Sequence, residues 1–290
     1  MLSYQHGYHA GNAADVHKHV VLGVLLERLR AKAKPFCVLD VHAGRAVYDL
    51  TGDQARKTGE FEHGIARLMA MDAQAARALP APLSALREMV RTMNPQGGFK
   101  RYPGSPELAR AALRADDRLV VNELHPAECA ALVRWSKADA RVSVHQRDAL
   151  EAATALVPPK IRRGLLLIDP PYEVKDDYRA VPAAAVAAAR KWPEGIVMVW
   201  YPVLPDGRQA PLIEDFERTA PAGALISQLD FGRAAGSTGV IGSGVAIIHP
   251  PWQADADIAT AGEALARLLR RERPGRHRLR QIGNKAAAAS

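Results

Sequence analysis

Short apolar runs of four to six residues recur through the middle of the chain and predict buried strands. Each run is apolar on both faces, as strands are when helices cover both sides of a parallel sheet. The runs are residues 36–40, 118–123, 164–169 and 195–200. Alanine-rich segments of helical length lie among them, at residues 126–137, 149–156 and 178–191. This alternation of strand and helix predicts a doubly wound α/β sheet.

The last strand-like runs follow a different pattern. Residues 224–230 and 240–249 are extended, and the glycine-containing segment that joins them is not helical. They predict an antiparallel pair at one edge of the sheet. The predicted fold class is therefore α/β and Rossmann-like, with a mostly parallel sheet and an antiparallel edge pair, which is the pattern of class I methyltransferases.

Residues 48–98 interrupt the alternation after the first strand. They contain no convincing strand, and prolines at positions 80, 82 and 95 divide them, which predicts a subdomain of short inserted helices. The main domain then comprises residues 1–47 and 99–252, and a helix over residues 13–31 opens it. Residues 253–290 are expected to form a C-terminal helix and a basic tail, and disorder of the tail is left open.

Composition narrows the classes of function. The chain has 290 residues, of which 48% are hydrophobic and 24% charged, and no apolar run approaches the roughly 20 residues that span a bilayer. With no signal-peptide pattern at the N-terminus, we expect a cytoplasmic monomer without a membrane partner. The formal charge of +8 suits a polyanionic partner such as nucleic acid, although many soluble proteins are mildly basic. Cys37 and Cys129 form no CxxC pair, so neither zinc nor a disulfide is expected.

The residues Asp169-Pro170-Pro171-Tyr172 follow a predicted strand directly, where ligands bind in open α/β sheets. These residue types suit a reaction at the amino group of an adenine. That group is a poor nucleophile because its lone pair is delocalised into the ring. A carboxylate from Asp169 and the carbonyl of Pro170 can accept both hydrogens of N6 and so favour a more nucleophilic nitrogen. Tyr172 can stack on the base. The alternative is an ordinary strand end with a Pro-Pro turn and Tyr172 as a packing residue.

Other strand ends predict a cofactor that lacks phosphate. The turn after the first strand contains Gly44 but no G-x-G-x-x-G fingerprint, so a dinucleotide is not favoured. Glu123 ends the second strand-like run and can accept ribose hydroxyls. Asp148 can hold the adenine amino group of the cofactor, or cap the helix that follows, or do both.

An N-terminal cluster of polar residues suits contacts with a nucleic acid better than a metal site. Its histidines do not form HExxH, and neither cysteines nor carboxylates complete a recognised ligand set. We therefore expect that the protein binds no metal. The members are Tyr4, His6, His9, Asn12, Asp15, His17, Lys18 and His19.

Several segments, taken in order, make the chain resemble one family. They are residues 1–19, 39–44, 102–106, 122–126, 167–173, 200–202 and 249–252. The chain is similar to the bacterial 23S ribosomal RNA adenine-N6 methyltransferases of the RlmJ type from residue 1 to about residue 252. The opening and the Asp-Pro-Pro-Tyr-Glu segment are the specific parts of this resemblance, and the tail beyond Trp252 does not share it.

The resemblance implies S-adenosylmethionine as the cofactor and one adenine of 23S rRNA, free or in early assembly, as the substrate. It implies Asp169 as the catalytic residue and Tyr4, with His6 and Lys18 nearby, as contacts to RNA. Residues implied to bind the cofactor are His19, His42, Ser105, Glu123, Asp148, Ala149 and Asp169. Arg147-Asp148-Ala149 stands where the family pattern has Ala-Asp-Gly, which weakens the implied contacts at the cofactor adenine.

Three other functions share part of this pattern. DNA amino-methyltransferases use the same Asp-Pro-Pro-Tyr chemistry, but no separate target-recognition domain is evident here. Glutamine-directed protein methyltransferases usually carry Asn at the position of Asp169. A non-catalytic nucleic-acid-binding protein on a methyltransferase scaffold would not need Asp169, Glu123 and Gly44 together.

Overall fold

An eight-stranded sheet with helices on both faces forms the centre of the computed structural model, which describes residues 5–283. The strands are β1 (Cys37–Asp40), β2 (Val47–Asp49), β3 (Arg101–Pro103), β4 (Arg118–Asn122), β5 (Val142–His145), β6 (Gly164–Ile168), β7 (Gly195–Val203), β8 (Ala224–Asp230), β9 (Gly242–Ile248) and β10 (Arg276–Ile282).

The helices connect successive strands or precede the sheet, and two 3₁₀ turns, His6–Tyr8 and Glu60–His63, accompany them. The helices are α1 (Ala13–Arg30), α2 (Asp53–Thr58), α3 (Ile65–Met69), α4 (Ala73–Arg77), α5 (Ala81–Met93), α6 (Ser105–Ala112), α7 (Pro126–Ser136), α8 (Ala149–Ala155), α9 (Asp177–Lys191), α10 (Ala210–Thr219) and α11 (Ala254–Leu268). None of these helices is long and apolar enough to cross a membrane.

The strand order is β10-β8-β9-β7-β6-β1-β4-β5. Strands β7, β6, β1, β4 and β5 are parallel, and β9, β8 and β10 continue the sheet in antiparallel fashion. The predicted Rossmann-like fold class, a mostly parallel sheet with antiparallel strands on one side, is confirmed, and β10 lies outside the predicted pair of β8 and β9. The carboxyl ends of β1, β4, β5 and β6 meet at one edge, where such sheets bind ligands.

The two faces of the sheet bury different sets of helices. On one face α8, α9 and α10 cover a core that includes Trp192, Tyr201 and Phe216. On the other face α1, α6 and α11 pack on a second core around Phe36, Leu119 and Met198. Strands β1 and β6 are buried along their whole length, which explains why their sequences are apolar on both faces.

The segment after β1 forms helices α2 to α5, as the proline-divided sequence predicts. Helix α5 packs against α1 through Leu83, Leu86 and Val90. A short antiparallel ladder of β2 and β3, in which Tyr48 lies opposite Tyr102, closes the segment at both ends. Sequence analysis missed these strands because three residues are too few to show a period. The boundaries of the insertion subdomain, residues 48–98, stay a prediction.

The basic tail contains a strand, and this differs from the disorder left open by its composition. Helix α11 is present, and β10 pairs with β8 along seven residues. Arginines alternate with His277 and Leu279 in β10, so the strand has one charged face and one partly buried face. The charged face dominated the composition, whereas pairing with β8 and contact with α11 stabilise the strand.

Candidate functional site

A cavity of about 320 Å³ lies at the carboxyl ends of β1, β4, β5 and β6. It brings together most of the residues predicted from the sequence: His6, Lys18, His19, His42, Ser105, Glu123, Asp148, Ala149, Asp169 and Pro170. Tyr4 lies outside the described residues, and Tyr172 does not line the cavity. His6 comes from a 3₁₀ turn, Lys18 and His19 from α1, and Ser105 from the start of α6. The other site residues come from the loops after the parallel strands, because the sheet topology collects those loops at one edge.

Asp169 follows β6 and forms an ion pair with Lys18 of α1, with 2.6 Å between Oδ2 and Nζ. Lys18 also contacts Asp15, one turn earlier in the helix, with 2.7 Å between Nζ and Oδ1. The exposed fractions of these side chains are 11% for Asp169, 4% for Lys18 and 2% for Asp15. One lysine is thus shared by two carboxylates, one of them fully buried and the other facing the cavity.

The charges of this network are held in place by one another. Burial alone would lower the pKa of Lys18, but Asp15 and Asp169 outweigh it and keep that pKa well above its ordinary value. Burial likewise opposes ionisation of Asp15, yet the neighbouring charge of Lys18 holds its pKa well below the ordinary range. Burial lowers the pKa of His19 to about 3, so this ring is neutral at pH 7 and Lys18 carries the positive charge.

His42 lies beneath the Asp169 loop as a neutral hydrogen-bond acceptor. Its Nδ1 accepts from the backbone N–H of Asp169 at 3.2 Å. Burial lowers the pKa of His42 to about 4, so the neutral ring carries its proton on Nε2. Its own backbone N–H donates to Asp40 Oδ1 at 3.3 Å within the turn after β1, so His42 joins that turn to the Asp169 loop.

Glu123 is oriented by backbone donors from two loops. Its Oε2 accepts from the N–H of Gly44 at 2.9 Å, and its Oε1 accepts from the N–H of His125 at 2.8 Å. Gly44 has φ of +60°, and a Cβ there would lie 2.1 Å from the hydroxyl of Tyr48. Only glycine fits this close approach, so the turn after β1 and the carboxylate after β4 form one preorganised wall.

Asp148 caps helix α8, since its Oδ1 accepts from the N–H of Glu151 at 2.9 Å. Within residues 5–283 its Oδ2 accepts no hydrogen bond, so the second oxygen remains open for a ligand. Leu124, Leu150 and Val181 provide apolar walls of the same cavity. Two acids with apolar side chains between them suit a ligand that has a flat ring and polar edges.

Tyr172 occupies the packing position that sequence analysis weighed as the alternative. Its ring is buried, with Tyr178 at 4.7 Å and Trp200 at 6.0 Å between ring centroids, and its hydroxyl donates to the carbonyl of Trp200 at 2.9 Å. Its φ is +53°, a strained value for a residue other than glycine. This backbone conformation directs the ring into the core and leaves the preceding residues at the cavity.

Asp15 and Asp40 are buried acids beside the cavity. The sequence placed Asp15 only in the N-terminal polar cluster and predicted no role for Asp40. Burial raises the pKa of Asp40 to about 7, and its Oδ2 makes no hydrogen bond within residues 5–283. A strand that ends in an acid was the available signal for Asp40. Asp15 lies three residues before Lys18, a spacing that places both on one helix face.

The N-terminal histidines do not converge on one point. His17 is buried between Ser243 and Ser227, at 2.9 and 3.0 Å, whereas His9 contacts Glu60 at 2.9 Å. His6 and His19 each lie 3.3 Å from Asp15. In the described part of the chain no three His, Cys, Asp or Glu side chains are arranged to hold a metal ion.

Comparisons with known proteins agree with this geometry. The family model described as ribosomal RNA large subunit methyltransferase D, RlmJ, matches residues 33–282. Proteins named ribosomal RNA large subunit methyltransferase J are 41% identical in Escherichia coli (strain K12) and 38% identical in Haemophilus influenzae, each over 253 residues. These matches cover 87% of this chain and 89% and 88% of the two relatives.

A solved structure gives the same result for the fold. The crystal structure of a Legionella pneumophila str. Philadelphia 1 protein has 31% identity and a TM-score of 0.86, over 96% of this chain and 99% of that chain. Family model, relatives and structure thus agree over nearly the same length of chain. The chain therefore belongs to the RlmJ family of ribosomal RNA large subunit methyltransferases.

Proposed function

We propose that this methyltransferase transfers a methyl group from S-adenosylmethionine to the exocyclic N6 of one adenine in 23S ribosomal RNA. The observation that carries the proposal is the carboxylate of Asp169, in an Asp-Pro-Pro loop at the carboxyl end of β6, beside a preorganised cavity with two further acids. The names of the relatives support large-subunit ribosomal RNA as the substrate.

The cavity fits S-adenosylmethionine by the chemistry of its walls. The two oxygens of Glu123, oriented by Gly44 and His125, can each accept from a ribose hydroxyl. The open oxygen of Asp148 can accept from the adenine amino group, and the apolar side chains around it can enclose the ring. When bound, the cofactor supplies a methyl group that is already activated for transfer. His19, His42, Ser105 and Ala149 complete the proposed contacts.

Asp169 acts by orienting the amino group of the target. Lys18 holds Oδ2, which leaves Oδ1 to accept one N6 hydrogen, and the carbonyl of Pro170 accepts the other. This pair of acceptors favours a pyramidal nitrogen whose lone pair is directed at the methyl group. Proximity and orientation then supply most of the rate enhancement. Asp169 need not remove a proton before transfer, because N6 becomes acidic once it is methylated and then loses its proton to solvent.

The target adenine must leave its stack to reach the Asp169 loop. Unstacking costs a few kcal/mol and costs least in unpaired RNA, which favours a protein-free or partly assembled substrate. The 3₁₀ turn with His6 and the start of α1 with Lys18 border the cavity and are proposed to contact the RNA. Tyr4, just before the described residues, is proposed to join them. Tyr172 is proposed to position the loop through Trp200 rather than to stack on the base.

The test is transfer of labelled methyl from S-adenosylmethionine to three acceptors in parallel: protein-free 23S rRNA, naked DNA and assembled large subunits. We expect label in the free rRNA. Asp169→Ala should abolish transfer and keep cofactor binding, whereas the exposed Asp116→Asn should behave as wild type. Label only in DNA would refute rRNA as the substrate. Substantial turnover by Asp169→Ala would refute the proposed role of this carboxylate.

A further inference from the structure

A cationic groove of about 380 Å³ lies beside the outer antiparallel strands β8 and β10, several strands away from the cofactor cavity. Four arginines line it, and Asp230 is the acid among its lining residues. The arginines are Arg233, Arg273, Arg276 and Arg278. We call this set the arginine groove.

The register of β10 places two of these arginines on one face of the edge strand. Arg276 lies opposite Asp230 and Arg278 opposite Gln228, and residues two apart in a strand point the same way. Both arginines are exposed. Within residues 5–283, no carboxylate lies at ion-pair distance from Arg273, Arg276 or Arg278. These charges are therefore available to an external anion.

Further arginines extend the positive charge toward the insertion. Burial lowers the pKa of Arg271, and the nearby charges of Arg67 and Arg233 lower it further. The Nε of Arg271 is buried and makes no hydrogen bond among the described residues. Arg67 is held in place by donation to the carbonyl of Leu268 at 3.3 Å. Glu272 and Glu60 offset this repulsion in part, but Arg67 and Arg233 act on Arg271 more strongly, so like charges lie close together and a polyanion would stabilise them.

The arginine groove and the Asp169 loop lie on the same edge of the sheet. The end of β7 pairs with the start of β9, and the end of β8 pairs with the start of β10, so Val203, Gly242, Asp230 and Arg276 form one row. Four strand spacings of about 4.8 Å separate β6 from β10, or roughly 19 Å. A few nucleotides of extended RNA span this distance.

We propose that the arginine groove binds backbone phosphates of the RNA substrate on one side of the target adenine. The inference rests on the proposed function for the position of the adenine at Asp169. Several unpaired arginines in a row match the repeated charges of a phosphodiester backbone. Charged side chains on an edge strand also discourage pairing between sheets, so the experiment must measure contact with RNA directly.

The test compares two matched double variants in binding to protein-free 23S rRNA, without cofactor, over a range of salt concentrations. Arg276→Gln with Arg278→Gln removes two charges from the arginine groove. Lys32→Gln with Lys34→Gln removes two exposed charges before β1, at the opposite edge of the sheet. Glutamine is chosen because a glutamate at position 276 would face Asp230 and destabilise the strand pair.

We expect the arginine variant to bind RNA about tenfold more weakly. The slope of log affinity against log salt should fall by about 1.4, since each lost single-strand phosphate contact removes about 0.7. In methyl transfer its KM for RNA should rise while kcat stays unchanged. The lysine variant should match wild type, and equal thermal midpoints would show that β10 remains folded. If the arginine pair unfolds the protein, Arg273→Gln, outside β10, replaces it with an expected slope change of about 0.7.

Two outcomes separate this inference from the proposed function. If wild type methylates rRNA but the arginine variant has unchanged RNA affinity and salt slope, the proposed role of the groove is wrong and the proposed function stands. A reduced slope with no methyl transfer by wild type would support the groove and overturn the function. Equal losses in the lysine and arginine variants would mean general charge attraction and would also overturn the groove.

Discussion

Replacing Lys18 by methionine leaves the buried carboxylates of Asp15 and Asp169 without their shared cation. Asp169 is 11% exposed and borders the cavity, so water can solvate it, whereas Asp15 at 2% cannot be reached. Breaking a buried ion pair from one side costs about 3–5 kcal/mol. We expect a loss of about 3 kcal/mol, at the lower end of this range, because Asp169 stays partly solvated.

The loss should depend on pH with a definite sign. In the wild type the folded pKa of Asp15 is depressed below 3.8, so its contribution is present above that pH and fades as pH falls through the folded pKa. The variant lacks this contribution, and Asp15 without its cation protonates more readily as pH falls. The difference in unfolding free energy between the two proteins is therefore larger at pH 8 than at pH 5.

Urea unfolding at both pH values, followed by circular dichroism, measures this difference. Lys32→Met, which changes an exposed lysine, should lie within about 0.5 kcal/mol of wild type. Asp15→Asn combined with Lys18→Met should recover part of the loss, because the buried charge is gone. A cost below about 1 kcal/mol at pH 8, or the same cost at both pH values, would refute the buried network as described.

Three further substitutions test other parts of the site. Gly44→Ala places a methyl group against the hydroxyl of Tyr48 at a backbone φ of +60°. Urea unfolding should therefore show a loss of about 1–3 kcal/mol in unfolding free energy, and titration should show weaker cofactor binding. Unchanged stability and affinity would refute the close approach of Gly44 to Tyr48. Burial raises the pKa of Asp40 to about 7, so the wild type loses the stability that a protonated Asp40 confers as pH rises through that value. Asp40→Asn cannot lose a proton, so its unfolding free energy should rise relative to that of wild type between pH 5 and pH 9. Parallel pH profiles of the two proteins would contradict this. Tyr172→Phe removes the hydrogen bond to Trp200 and should cost about 1 kcal/mol in urea unfolding with an unchanged KM for RNA, whereas a raised KM would place Tyr172 in the RNA contact.

The strands and the carboxyl-edge site were predictable because burial on both faces leaves a strong pattern in the sequence. Strand β6 is apolar throughout and is followed at once by Asp169, so the position of the acid at the edge could be derived without coordinates. The same reasoning located Glu123 and Asp148. The partners of Glu123 and Asp169 could not be derived, because their contacts to Gly44 and Lys18 join segments distant in sequence.

Other features depend on tertiary contacts that leave little local signal. The sequence of strand β10 resembles a charged tail because only one face of the strand is covered. The strand is stabilised by pairing with β8, which lies far from it in the sequence. The ring of Tyr172 is directed into the core by a backbone conformation with positive φ, which the neighbouring residues in the sequence do not predict. Residue type predicted a stacking role for this ring, and the surrounding fold decided where the ring lies.

Nucleoside mass spectrometry of protein-free 23S rRNA, after incubation with the protein and deuteromethyl-labelled S-adenosylmethionine, tests the central claim most directly. We expect N6-methyladenosine as the labelled nucleoside with wild type, and no labelled nucleoside with Asp169→Ala. Label on a ring carbon, on the ribose or on another base, or equal label with Asp169→Ala, would contradict the proposed orientation of an adenine amino group by this carboxylate.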